Sequence, residues 1–410
     1  MFGKMVKFWA LMGLFFGSVS FATAQDKACS DTFLKSPIYW DLNRLEATKA
    51  KIKTGQFAAK AAYKDLIKSA NEAKSTRPFS VANKKRAGAS GDIKDYVSLS
   101  RYWWPDPKSE DGLPYIRKDG YTNPEINGVN FDRRRSQHMT DAVRDLALAA
   151  FFTGDASYAK KAKNFVDIWF LHEDWGMNPN LQHGQSVPGK VSGREYGILD
   201  ARIYWDVMDS LLLLQSEGMV ETEFVDRVRK WFGEYAAWLV SSEFGQKAQT
   251  KKNNHGVFYD AQLSHVLMFA GYCDIAKEVI ERSRERMKEQ IEPSGVMPHE
   301  TTRTQSLFYH SFNAQAFIRL ASYARKLGVD YYDLPQEKSG SIKDTVHLVS
   351  SYVGRVEAWP YQEIHKNIEL PMWSMLIQAR RLDQSDNVHT ALAALNETDP
   401  ENRLHLLFGE

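Results

Sequence analysis

Cysteine is almost absent, with only Cys29 and Cys273 in 410 residues. That excludes a fold framed by several disulfides and a zinc site built on cysteine clusters. An oxidising compartment would allow the two to pair, as a structural bond, although their separation fixes no geometry. Charge of one sign is also missing: 53 Lys and Arg face 51 Asp and Glu. Such balance argues against a nucleic-acid or membrane-surface protein, whose charge would be lopsided. Metal-ligand spacing is absent too. His183, His255, His299 and His310 are scattered, and His299-Glu300 is followed by Arg303, so there is no H-E-x-x-H motif. No metal and no other cofactor is called for. No stretch alternates convincingly with period two in the first three-quarters of the chain, which leaves no sizeable sheet. A repeat of fixed length is lacking as well, which argues against a solenoid.

What is present begins with an export signal. Lys4 and Lys7 precede an apolar run from Phe8 to about Phe21, closed by Ala22-Thr23-Ala24. A charged segment, a short apolar segment and an A-x-A site make residues 1–24 a signal peptide. The run falls short of the roughly 20 residues a membrane helix needs, so no stable membrane insertion is expected. Secretion across the inner membrane follows, to the periplasm or the exterior. The chain from 25 to 410 is expected to form one domain and to act as a monomer.

Helical periodicity then dominates. In Thr140–Phe152, Val143, Leu146, Ala147, Ala150 and Phe151 share one face. Gly154 stops that helix, and Ser157–Leu171 predicts the next. Similar patterns occupy Ile198–Gln215, Glu221–Leu239, Phe258–Ala270, Ile275–Gln290, Leu307–Leu327 and Ile342–Tyr352. Asp41 to Ala73 predicts one or two more. Short turns between them predict antiparallel hairpins, and their irregular lengths suit a toroid of hairpins with a cleft at one end.

Two stretches refuse this pattern. Asp95 to Asn130 carries four prolines and three glycines, yet also Tyr102, Trp103, Trp104, Tyr115 and Tyr121. Long aromatic loops are functional more often than disordered, and these rings suit stacking on sugars or plugging a hydrophobic end of the toroid. Trp175 to Arg194 offers Gln182, His183, Gln185 and Arg194 as hydrogen-bonding groups for hydroxyls and carboxylates, or as a solvated loop. Near the C-terminus, Tyr361, His365 and Lys366 either close a cleft or lie on a surface connection.

The strongest chemical signal is Asn253-Asn254-His255-Gly256 with Arg303 and Tyr309 downstream. Asn254 and His255 precede a helix expected to start near Val257, where free backbone N–H groups favour an anion. Singly, each has a structural explanation: Asn254 as an N-cap, His255 as a turn residue, Arg303 as a solvated cation, Tyr309 as core.

The string RYWWPDP, continuing to GLPYIRKDG and YTNPE, resembles the signature of the alginate lyase family with the helical-toroid fold. The NNHG segment and the later Arg and Tyr resemble its active-site motifs in the same order. The resemblance runs roughly from Trp40 to Tyr361. It implies an all-α, incomplete (α/α) toroid that cleaves an acidic polyuronate by β-elimination. It also implies that Asn254, His255 and Arg303 neutralise the substrate carboxylate while Tyr309 handles the proton. Such a lyase removes the C5 proton of a uronate and expels O4. The C–H is hardly acidic until donors offset the neighbouring carboxylate, as an oxyanion hole does. Tyr309 as both base and acid, or His255 as base with Tyr309 as acid, both remain open. So does the polymer: alginate blocks or glucuronan. Two rivals stand beside this reading. One is a glycoside hydrolase using two carboxylates among Asp132, Asp141, Asp200 and Glu300. The other is a non-catalytic glycan-binding protein with Trp103 and Trp104 as platform.

Overall fold

The computed structural model describes residues 29–334, 338–365, 367–395 and 398–409. The expected signal peptide and Lys366 lie outside the described residues. In chain order the principal helices are α1 (Leu42–Lys53), α2 (Lys60–Ser75), α3 (Arg133–Thr153), α4 (Ala156–Val166), α5 (Tyr204–Ser216) and α6 (Thr222–Ser241). They continue as α7 (Glu243–Gln249), α8 (Asn254–Ala270), α9 (Cys273–Gln290), α10 (Pro298–Thr301) and α11 (Ser306–Lys326). The last are α12 (Ile342–Ser351), α13 (Glu369–Ala379), α14 (Asp386–Ala394) and α15 (Leu404–Phe408).

Local chemistry sets the hairpins. Gly154 takes the left-handed conformation at φ 76° and its N–H bonds back to the Ala150 carbonyl. The next residue, Asp155, accepts from the Ser157 N–H and starts α4. One Gly-Asp pair therefore ends one helix and begins its antiparallel neighbour. Four boundaries differ from the periodicity. Helix α3 starts at Arg133 rather than Thr140, because its first two turns are mostly polar and carry no apolar period. The segment after α4 is a single π turn, Asp167–Leu171, and Glu195–Ile203 is a 3-10 stretch preceding α5. Helix α8 starts at Asn254, not near Val257: Asn253 is the N-cap, accepting from the His255 N–H. Asn254 and His255 thus sit in its first turn.

The hairpins form an incomplete (α/α) toroid. Inner helices α3, α5, α8, α11 and α13 pack successively on one another, and α4, α6, α9, α12 and α14 follow them on the outside. Helix α15 lies between α13 and α1–α2, and α2 packs on α3. The inner helices are buried nearly all round, as helices inside a core must be. In α8 only His255 and Ala270 retain appreciable exposure. One apolar cluster runs from Ile38 to Phe408. Cys29 and Cys273 are disulfide-bonded, with Cα atoms 5.1 Å apart. Among the described residues, no helix is long and apolar enough to cross a membrane.

The two non-helical stretches find each other. Strand β1 (Val97–Leu99) pairs in parallel with β4 (His183–Ser186), while β2 (Trp103–Trp104) pairs antiparallel with β3 (Ile116–Arg117). Together they build one wall over the ends of the inner helices.

Candidate active site

The opposite wall is the start of α8 and of α11. Gly256 is obligatory there, because a methyl at that position would collide with the Lys251 carbonyl and the Arg286 guanidinium. Asn254 is fully buried. Its backbone N–H and its Nδ2 both donate to Glu300, at 2.6 and 2.8 Å. His255 follows, its ring edge on Tyr196 at 4.7 Å between centroids. Arg303 lies between α10 and α11. Its Nη2 is 2.9 Å from Asp119 Oδ1, and its guanidinium sits 3.9 Å over the Tyr309 ring. Asp119 belongs to the first irregular stretch, so this ion pair clamps that loop onto α11. Tyr309 shares a 2.7 Å hydroxyl–hydroxyl hydrogen bond with Tyr102 from the facing wall.

Asn254, His255, Arg303 and Tyr309 therefore converge on a single cavity of about 380 Å³. Tyr102, Trp103, Gln185 and Arg194 line it with them. Trp103 carries Lys190 and Arg194 over its ring, at 5.0 and 5.7 Å. Gln185 holds a positive φ of 49° and donates to Asp200. Arg194 is fixed by the Gln185 carbonyl and the Ser100 hydroxyl. Other expected residues lie elsewhere. Trp104 donates to the Tyr121 carbonyl under Lys118, outside the lining. Gln182 is exposed, and His183 is buried 3.5 Å from Asp95. Tyr361 packs on Trp359, and His365 stacks on the back of Phe308 at 5.0 Å, supporting the wall rather than lining it.

Sequence reading overlooked Arg101, Arg117, Arg133 and Arg202, which join Arg194 and Arg303 around the cavity. Against these six cations stands one carboxylate, Asp200, already held by Tyr96, Ser98 and Gln185. Burial and its neighbours Arg133 and Arg101 push the Arg202 pKa down to about 10. Desolvation, Arg303 and Arg194 push His255 down to about 3, so its imidazole is neutral. Burial raises the Tyr309 phenol; Tyr102 adds to the rise, because two phenolates in contact cannot coexist, and Arg303 opposes it. A larger concavity of about 620 Å³ lies at α2, α3 and the C-terminal segment. Asp65, Glu72, Asp141, Asp145, Asp399 and Glu401 line it, against only Arg144 and Arg403, a field that repels polyanions. Of the carboxylates a hydrolase would use, Asp141 lies there, Asp132 is buried against Lys84, and Glu300 sits behind Asn254. Asp200 alone faces the cleft.

A helical toroid whose cleft gathers six arginines around an Asn-His turn and a tyrosine has the architecture of a polysaccharide lyase. The alginate lyase family model matches residues 80–359, and the chain belongs to that family. A crystal structure of an alginate lyase from Bacteroides ovatus is 34% identical, with a TM-score of 0.85, over 91% of this chain and 98% of that one. Alginate lyase A1-III from Sphingomonas species A1 shares the fold at 17% identity and a TM-score of 0.61, over 95% of this chain and 99% of that one. A histidine-to-alanine variant of A1-III, complexed with a tetrasaccharide, matches at 17% identity and a TM-score of 0.62. No curated protein matches the chain in sequence.

Proposed function

We propose that the protein depolymerises alginate, or a related polyuronate such as glucuronan, by β-elimination across C4–C5. The carrying observation is the convergence of Asn254, His255, Arg303 and Tyr309 in a cleft lined by six arginines. Donors there offset the charge of a uronate carboxylate as negative charge develops toward C5, and one such donor is worth on the order of 10²–10³ in rate. Tyr309 carries the proton. Its resting phenol is the acid that O4 requires. To act as base, Tyr309 first releases its phenol proton to solvent, the phenolate being held by Arg303 over its ring and by a hydrogen bond from Tyr102; it then takes the C5 proton and, as the re-formed phenol, passes it to O4. The similarity to the Bacteroides ovatus alginate lyase supports the polymer class. The signal-peptide pattern and the Cys29–Cys273 bond support action outside the cytoplasm.

Incubation with polymannuronate, polyguluronate and glucuronan, followed by ultraviolet absorbance, tests this. An unsaturated product from at least one polymer is expected. New reducing ends without that absorbance would replace the lyase by a hydrolase, and no depolymerisation at all would leave a glycan-binding protein.

A further inference from the structure

Glu300 touches no solvent, yet it is the group on which Asn254 hangs. Its two oxygens accept from the Asn254 backbone N–H and from Nδ2. The carboxamide is thereby turned with Nδ2 toward Glu300, and Asn254 Oδ1 is buried without a partner. In this arrangement one Nδ2 hydrogen is spent on Glu300, and the unpartnered atom of the carboxamide is an acceptor, which an anion cannot use. It also sets an anionic carboxylate directly behind the residue that must receive the substrate's carboxylate. Both defects vanish if Glu300 holds a proton. A neutral Glu300 donates O–H to Oδ1, the carboxamide turns over, and its N–H groups become free for the uronate.

We infer that Glu300 is a positioning residue that takes up a proton when a uronate binds, turning the Asn254 carboxamide from acceptor to donor. The inference rests on the proposed carboxylate site at Asn254. The environment makes the uptake accessible. Burial lifts Glu300 to about 7, against the hydrogen bonds from Asn254 and the charge of Arg303. Arg303 is itself drawn to Asp119. The titratable neighbours on the packed helices are already uncharged. His255 on α8 is pushed down to about 3, His310 on α11 is pushed down to about 4 by burial, and Tyr309 stays protonated. Bringing a second negative charge beside Glu300 raises its proton affinity further. By linkage, affinity for the uronate then falls up to tenfold per pH unit above about pH 7.

The test measures oligouronate binding by calorimetry at pH 8, in two buffers of different ionisation enthalpy, with Tyr309→Phe protein to prevent turnover. Uptake approaching one proton per uronate bound is expected. Adding Glu300→Gln should abolish it, since a glutamine amide mimics the protonated acid by donating to Oδ1. In an otherwise unaltered chain, Glu300→Gln should flatten the alkaline rise in KM that the parent chain shows. No uptake in the Tyr309→Phe protein overturns the inference without any need for the Glu300 variant to fold. Uptake persisting after Glu300→Gln assigns the proton to His255 and overturns it too. A polyuronate that is cleaved with no proton taken up sinks this inference alone. Failure to bind or cleave any polyuronate sinks the lyase reading and this inference with it.

Discussion

Tyr309 meets Tyr102 through one hydroxyl contact and Arg303 across one ring face, and those contacts assign it more than core packing. A buried phenol that served only the core would not be paired with a second phenol across a cleft. Tyr309→Phe removes the proposed proton carrier but keeps the ring under Arg303 and the shape of the wall. Turnover should fall by about 10²–10⁴-fold, the range for a lost acid–base group, while oligouronate affinity changes little. Rates within a few-fold of wild type would hand the proton to another group, His255 being the neutral candidate. The arginines show where residue-level reading stops. Arg303 and Arg194 stood out because they accompany recognisable motifs or amides. Arg101, Arg133 and Arg202 sit in a loop, an arginine run and a helical segment, where a solvated cation looks the same. The one available signal was Arg202 within Ile198–Gln215, a cation placed among apolar neighbours that the structure leaves only partly exposed.

At the scale of the element, the start of α8 is the part on which the proposed chemistry depends. Asn253 caps it, Asn254 is tied to Glu300, and Gly256 admits the Lys251 carbonyl and Arg286. A methyl at Gly256 forces that turn outward, and overpacking of this kind costs roughly 1–3 kcal/mol. Gly256→Ala should therefore lower the melting temperature modestly but reduce kcat/KM far more, because it displaces Asn254 and His255 together. A stability loss with unaltered kcat/KM would show that the turn tolerates movement and that its geometry is not what catalysis needs. The hairpins were legible in sequence, since apolar faces and Gly-Asp punctuation are local signals. The wall opposite was half legible. Prolines, glycines and aromatics marked both irregular stretches, but the pairing of Val97 with His183 spans distant segments that no local pattern connects. Boundaries failed where polar residues carry the helix, at Arg133 and at Asn254. Gln182 and His183 were misplaced because strand pairing, not composition, decides which side chains of that loop face the cleft.

On the scale of the whole molecule, stability and binding reside at different ends of the same helices. The Cys29–Cys273 bond sits beyond the last residue of α8, while the cleft lies at its first turn, about 25 Å away along 17 residues. Removing the bond by Cys29→Ser with Cys273→Ser should cost on the order of 2–4 kcal/mol of stability and leave kcat at moderate temperature unchanged. A loss of kcat without melting would mean the two ends are coupled. Charge is likewise a property of the whole: the sequence is nearly neutral, yet one cavity gathers six arginines and another a cluster of carboxylates. A polyanion is drawn to the first and kept from the second. Salt shortens the reach of such a field from about 10 Å at 0.1 M to about 3 Å at 1 M. Over that range KM for a polyuronate should rise several-fold. The kcat should change little, because the donors proposed at Asn254 and His255 would act at contact distance in a partly desolvated cleft. A KM indifferent to salt would mean that Arg101, Arg133 and Arg202 serve the fold rather than the polymer.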